Sequence, residues 1–453
     1  MGVSYLIGLL VTFLPDARRH FAGISARVRA DRSPLIPIGA ALVLIAAFAV
    51  HLGAFDRAAI EQHSVPFPVP ISYFYGDVRA SDAVSNLVLG LAFLESLALG
   101  IFVLGLGALG RRGSFVAIGL VAAALAGIAL GARAEDSPDP YLYVGQALLG
   151  AGAYRPPAIA FTGDLATINQ VWNVPILPSA YGPLWTALAG GAIAVAPALA
   201  GKLVALRLLG FAAILVCAAL AGLLGLPRTI VAAILCNSAL YDLFVAGAHN
   251  DLVGVDFAIA AMVAVKRQRV LAGIALGVCA ALVKITLLPV VAVAVIFLPT
   301  FAARLRFVAA VTVVALIAYQ LGTHGNGFWA LRYVSLAYGA PRPLGATILK
   351  TLLGLVALIA VGFAIVRGSV RGRAAWAFSA LGVNPLGWYL AWSLPVALAS
   401  EDIAYAFLLT LPVAGYVESA VYAETVPFQI VRGIIVFALI GTLAYAYRPN
   451  RPR

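Results

Sequence analysis

The sequence predicts an all-α, polytopic transmembrane helical bundle with short and broken helices and one large outer loop. Three observations lead there. Hydrophobic residues fill 63% of the 453 positions and charged residues only 11%, against about 45–50% and about 25% in soluble domains. Apolar runs recur along the chain, several close to the roughly 20 residues that cross a bilayer. The basic residues behind the net charge of +12 sit singly or in twos and threes between those runs. That is the pattern of membrane topology, not the clustered face that would imply a nucleic-acid partner. A water-soluble enzyme, a disordered chain and a disulfide scaffold are excluded.

Residues 1–33 read as an N-terminal membrane-associated, basic segment. Their apolar start has no basic leader region, which favours a short membrane-associated helix over a cleaved signal peptide. Residues 34–453 read as a single polytopic membrane domain. Spans are expected at 34–54, 83–110, 114–131, 183–200, 203–225, 347–366 and 427–447. Between 231 and 299, and again between 374 and 416, the apolar runs are shorter and interrupted by polar residues. Cys217, Cys236 and Cys279 lie inside apolar runs and read as small packing residues.

Basic clusters at Arg18/Arg19/Arg27/Arg29/Arg32, Arg111/Arg112, Lys202/Arg207, Lys266/Arg267/Arg269, Arg304/Arg306, Arg367/Arg371/Arg373 and Arg448/Arg451/Arg453 are assigned to the cytoplasm. Segments 55–82, 132–182 and 322–345 then face outward. The loop 132–182, with Glu135, Asp136, Asp139 and Asp164, is too long for a mere connector and is expected to be functional. Getting from Lys202 to Lys266 on one side requires an even number of crossings. Residues 229–247, which include Cys236, Asn237, Ser238 and Asp242, are therefore expected to be a broken or re-entrant segment returning to the outer side at His249.

Two short apolar runs, 252–265 and 270–283, flank the Lys266–Arg269 turn. Each reaches about 21 Å at 1.5 Å per residue, against about 30 Å of hydrocarbon. His249, Asn250, Asp251 and Lys284 should therefore meet at one depth, below the outer surface. A lone intramembrane charge is as readily a structural pair as a site; two polar clusters at one depth favour a site. Glu95 and Asp256 read as structural. Trp388, Tyr389 and Trp392 read on composition as an interfacial belt, with a sugar- or lipid-binding wall as the alternative.

The motifs form a series. Asp139 is followed four residues on by Tyr143, then by a glycine-containing stretch to Tyr154-Arg155-Pro156, and later by Tyr181-Gly182-Pro183-Leu184. His249-Asn250-Asp251, Lys284 and the segment 384–392 follow in order. This series resembles the GT-C superfamily of polytopic glycosyltransferases, most closely the bacterial mannosyltransferases that use polyprenyl-phosphate sugars, over about residues 114–395. The family's Pro-Tyr after the glycine helix is Tyr154-Arg155-Pro156 here, and Pro385 is separated from Trp388 by two residues.

The resemblance implies a polyprenyl-phosphate sugar donor, mannose first, and a glycolipid or polysaccharide acceptor among membrane lipids. It implies Asp139 as general base and an inverting single displacement. Lys284 would meet the donor phosphate, helped by Arg332 or Arg342, with Tyr143, Tyr181, His249, Asn250, Asp251, Trp388 and Tyr389 as further substrate contacts. No cofactor is required, although a divalent metal near Glu135, Asp136 and Asp139 is compatible with the residues. The expected setting is a bacterial plasma membrane with the site on its outer face. A multi-pass transporter or lipid flippase is the rival reading. The lack of an internal repeat and the one-sided polar residues weigh against it.

Overall fold

The computed structural model describes residues 33–63, 82–132, 139–156, 161–172, 177–337, 344–370, 372–382, 387–399 and 401–420. All regular structure among them is helical. In chain order the helices are α1 (Leu35–His63), α2 (Asp82–Gly105), α3 (Gly110–Gly131), α4 (Asp139–Leu149), α5 (Asp164–Trp172) and α6 (Pro183–Ile193). There follow α7 (Leu199–Leu223), α8 (Arg228–Leu235), α9 (Ser238–Tyr241), α10 (Asp251–Lys266) and α11 (Val270–Val283). The last four are α12 (Phe301–Gly322), α13 (Gly327–Ala337), α14 (Leu344–Arg367) and α15 (Glu401–Ala420). Among the described residues five helical runs are long and apolar enough to cross a membrane, or six if the bent pair of α8 with 238–246 is one span. The all-α polytopic class is thus as expected.

The expected spans at 34–54, 203–225 and 347–366 correspond to α1, α7 and α14. Those at 83–110 and 114–131 form one 45-residue helical run, Leu87–Gly131, more than twice the roughly 20 residues of a single crossing. The run breaks at Gly110, whose φ of 63° interrupts the ladder. Ser114 Oγ donates to the carbonyl of Leu106 at 2.7 Å, an oxygen that a straight helix would carry roughly 12 Å away, so the chain folds sharply there. Helix α12 is a span that the sequence reading did not name, because Arg304 and Arg306 lie inside its first turns. The segments 1–32 and 421–453, with the expected span 427–447, lie outside the described residues.

The ends of the helices sort into two sets. At one end Arg228 sits 5.7 Å from the Phe115 ring, and Lys266 Nζ donates to the Leu224 carbonyl at 2.5 Å and lies 5.9 Å from the Phe297 ring. There too Gly368 lies against the Arg304 guanidinium. These contacts place the neighbourhoods of Arg111, Lys266, Arg304 and Arg367 together, as the charge pattern requires. The Lys202/Arg207 cluster is the correction. Lys202 Nζ pairs with Asp164 Oδ2 at 2.5 Å, and Arg207 Nη1 donates to the Ala132 carbonyl at 2.7 Å and the Leu130 carbonyl at 3.2 Å. Both residues therefore stand at the end that carries the 132–182 segment.

The physical reason is that 183–200 is not a span. Helix α6 has 11 residues, about 16 Å long, and the chain turns back after Ile193 to begin α7 on the same side. Helix α7 then runs to the Lys266 end, and α8 with residues 238–246 returns to His249, bent by 45° at the break. The segment is broken, as expected, but it is entered from the opposite end, and the crossing count closes without re-entry. At the break Asn237 Nδ2 donates to the Leu408 carbonyl at 2.7 Å and Ser238 Oγ to Glu95 Oε2 at 2.5 Å. Glu95 Oε1 meets His51 Nδ1 at 2.9 Å, the structural role expected of Glu95.

Candidate active site

Helix α10, buried along nearly its whole length, pairs with α11 as a hairpin. With Lys266 and Val270 at its turn, Asp251 and Lys284 must meet at the other end. They do: Lys284 Nζ donates to Asp251 Oδ1 at 2.8 Å. Both are buried. The same oxygen accepts the indole Nε1–H of Trp392 at 2.7 Å. Three rings surround the ammonium, with centroids 4.5 Å (Tyr389), 5.3 Å (Trp392) and 5.2 Å (Tyr181) away. A buried ammonium is tolerated only with such compensation, from a carboxylate and from ring quadrupoles.

Tyr181 reaches this point because the backbone of Gly182 docks on the last turn of α11. Its N–H donates to the Val283 carbonyl at 2.8 Å, and a Cβ on Gly182 would lie 2.0 Å from the Leu282 carbonyl oxygen. Only glycine fits there. Pro183 follows at the first position of α6, where its missing N–H is harmless. The Tyr181 hydroxyl lies 3.2 Å from that of Tyr143, whose ring stands edge-on to Trp185 at 5.3 Å. Burial pushes both phenols well above the usual tyrosine range, so they are neutral hydrogen-bonding groups at any physiological pH.

Asp139 opens α4, where peptide dipoles favour negative charge. The Tyr143 hydroxyl donates to its Oδ2 at 3.5 Å, and His249 Nδ1 lies 3.7 Å from the same oxygen. The Asp139 side chain keeps 16% of its surface exposed while His249 keeps none. The imidazole is stacked on Trp388, centroids 3.7 Å apart and planes 16° from parallel. Asp139, Tyr143, Tyr181, His249, Asp251, Lys284, Trp388 and Tyr389 thus form one constellation drawn from five separate stretches of chain.

Asn250 precedes Asp251 at the start of α10 and is fully buried, with neither amide atom hydrogen-bonded. Arg332 is exposed on α13. Arg342, Glu135, Asp136, Asn384 and Pro385 lie outside the described residues. No group of three metal-ligating side chains occurs among the described residues. Trp388 and Tyr389 are buried site residues rather than the interfacial belt their composition suggested. Trp392 was given no role of its own from sequence. A buried indole N–H needs an acceptor, and here Asp251 Oδ1 supplies it.

Residues 129–304 match the family model described as alpha-(1->6)-mannopyranosyltransferase, N-terminal domain. That match bears out the resemblance to mannosyltransferases drawn from the motif series and supports a glycosyltransferase. No curated protein and no solved structure matches the chain. The matched stretch includes Asp139, Tyr143, Tyr181, His249, Asp251 and Lys284, while Tyr389 and Trp392 come from beyond it and close over the Lys284 ammonium, and Trp388 stacks on His249.

Proposed function

We propose that this protein transfers a mannosyl unit from a polyprenyl-phosphate donor to a glycolipid or polysaccharide acceptor, on the outer face of a bacterial plasma membrane. The observation that carries the reading is the placement of one carboxylate and one ammonium on either side of the Tyr143–Tyr181 hydroxyl pair. Asp139 is the general base: it takes the acceptor's hydroxyl proton as that oxygen attacks the anomeric carbon. Such a base contributes about 10²–10⁴-fold.

The leaving group is a lipid phosphate monoester, and its growing charge requires a cation in a poorly solvated place. Lys284 is that cation. Asp251 neutralises it before the donor arrives, and the Trp392 N–H keeps Asp251 hydrogen-bonded once Lys284 turns to phosphate. A single displacement inverts the anomeric centre. The family's name suggests an α-(1→6) linkage for the product.

The decisive experiment incubates the purified protein in lipid nanodiscs with radiolabelled mannosyl polyprenyl phosphate and an envelope lipid extract. Label transferred to a glycolipid or polysaccharide supports the reading. Donor moved between leaflets, or bound without transfer, would favour the transporter or flippase alternative instead.

A further inference from the structure

The mechanism above leaves a proton on Asp139 after each turnover. We propose that His249 is the relay that removes it, so that Asp139 and His249 work as a catalytic dyad; this rests on the reading of Asp139 as the base. Three observations converge on the imidazole. Its Nδ1 is 3.7 Å from Asp139 Oδ2, and a shift of about 0.5–1 Å brings the pair into the hydrogen-bond reach of about 2.6–3.2 Å expected during proton transfer. The ring plane is fixed by the stack on Trp388 at 3.7 Å, so Nδ1 keeps its aim. The residue before it, Ala248, has φ +48°, a left-handed conformation that is strained for a residue with a Cβ. Backbone strain of this kind persists where it presents a functional side chain.

The step balances. As the acceptor oxygen bonds to the anomeric carbon, the bond from that carbon to the phosphate oxygen breaks and its electron pair leaves with the phosphate. The acceptor's proton moves to Asp139, then to Nδ1 of the neutral imidazole, which becomes imidazolium and restores the carboxylate. The imidazolium gives the proton to the released phosphate monoester, whose second pKa is about 6. Among the described residues, the titratable and charged groups near the pair include Tyr143 on α4, Tyr181 before α6, Asp251 on α10, Lys284 after α11 and Tyr389. Burial keeps the two phenols beside Asp139 neutral, so the imidazole is the neighbour of Asp139 that can take its proton.

The test uses full-length protein in nanodiscs with mannosyl polyprenyl phosphate, measuring kcat and donor KM from pH 5 to 9. His249→Phe keeps an aromatic ring on Trp388 but removes the proton acceptor, and His249→Gln is the second variant should the first fail to fold. The wild-type kcat is expected to fall on the acid side, where the relay arrives already protonated. In the variant the plateau should fall about 10–10²-fold, donor KM should stay within about twofold, and the acid limb should move down to the carboxylate range. An acid limb that stays in place overturns the relay, whether KM rises (a phosphate contact) or only the thermal midpoint falls (a packing residue). An active Asp139→Asn would sink the base and the relay together, whereas an inactive Asp139→Asn with an unmoved limb in His249→Phe sinks the relay alone.

Discussion

Two buried charge clusters in the bundle invite comparison. In the first, Glu95 gives one carboxylate oxygen to His51 and the other to Ser238, tying α1 and α2 to the broken segment. In the second, Asp251 receives both Lys284 and Trp392 on Oδ1, and its buried Oδ2 has no hydrogen bond. Aromatic rings, not aliphatic ones, pack around that second pair. A carboxylate satisfied on both oxygens has finished its work on folding. One that takes two donors on one oxygen can release a donor without being left bare. The difference is the one expected between a structural cluster and the proposed reactive one, although both lie within apolar surroundings.

The comparison is broken most severely at Asp139, which belongs only to the second region. Asp139→Asn keeps volume but cannot take a proton, so kcat should drop by about 10²–10⁴-fold, with donor binding and thermal midpoint retained in a transfer assay and a melting curve. Glu95→Ala should do the reverse. Leaving His51 and Ser238 without their carboxylate should destabilise the fold by about 3–5 kcal/mol, read as a lower thermal midpoint, while the folded fraction keeps its donor KM.

Lys284→Ala should weaken donor binding and turnover together, by about tenfold or more each, because the phosphate is contacted in ground and transition states alike. Paired with Asp251→Asn it leaves no unpaired buried charge, so the double variant should melt near the wild type. Lys284→Arg should be the mildest of the series, retaining charge but not the point geometry that the three rings enclose. Normal donor kinetics in Lys284→Ala would make the second cluster structural as well.

Topology offers a check without kinetics. In a background lacking Cys279, cysteines at Ala198, beside Lys202, and at Gln268 should react with an impermeant thiol reagent from opposite sides of the membrane. Both positions are exposed. Labelling from the same side would restore 183–200 as a span and undo the crossing count.

Much of this was legible in the residues. The 14 residues of α11 were bounded by Lys266–Arg269 and Lys284 in the sequence itself, so the meeting of Asp251 with Lys284 followed from length alone. The series Asp139, Tyr143, Tyr181, His249, Asp251, Lys284 carried the family resemblance because chemistry constrains each member. What misled was Lys202. Basic residues report topology only when water and lipid headgroups decide their side, and Lys202 is held instead by Asp164 across 38 positions of chain. Apolar character likewise cannot distinguish a span from a short helix that turns back, since α6 is as hydrophobic as its neighbours and differs by ending after 11 residues. The role of Trp392 was hidden for another reason: an aromatic near a helix end fits a membrane interface as well as a buried site until its N–H finds an acceptor.

The close approach of Gly182 to the end of α11 has a mechanical consequence. Main-chain hydrogen bonding couples the segment bearing Tyr181 to the helix bearing Lys284, and the Tyr181 hydroxyl meets that of Tyr143, one turn from Asp139. In the proposed reaction these are the two ends of the displacement axis, the incoming oxygen at one and the departing phosphate at the other. One half of their separation is set by a backbone strut, which holds Tyr181 against the helix of Lys284, and the other half by the phenol pair that carries the link on to Asp139. A side chain larger than glycine at position 182 would part the two ends at the strut, with every reacting group still in place.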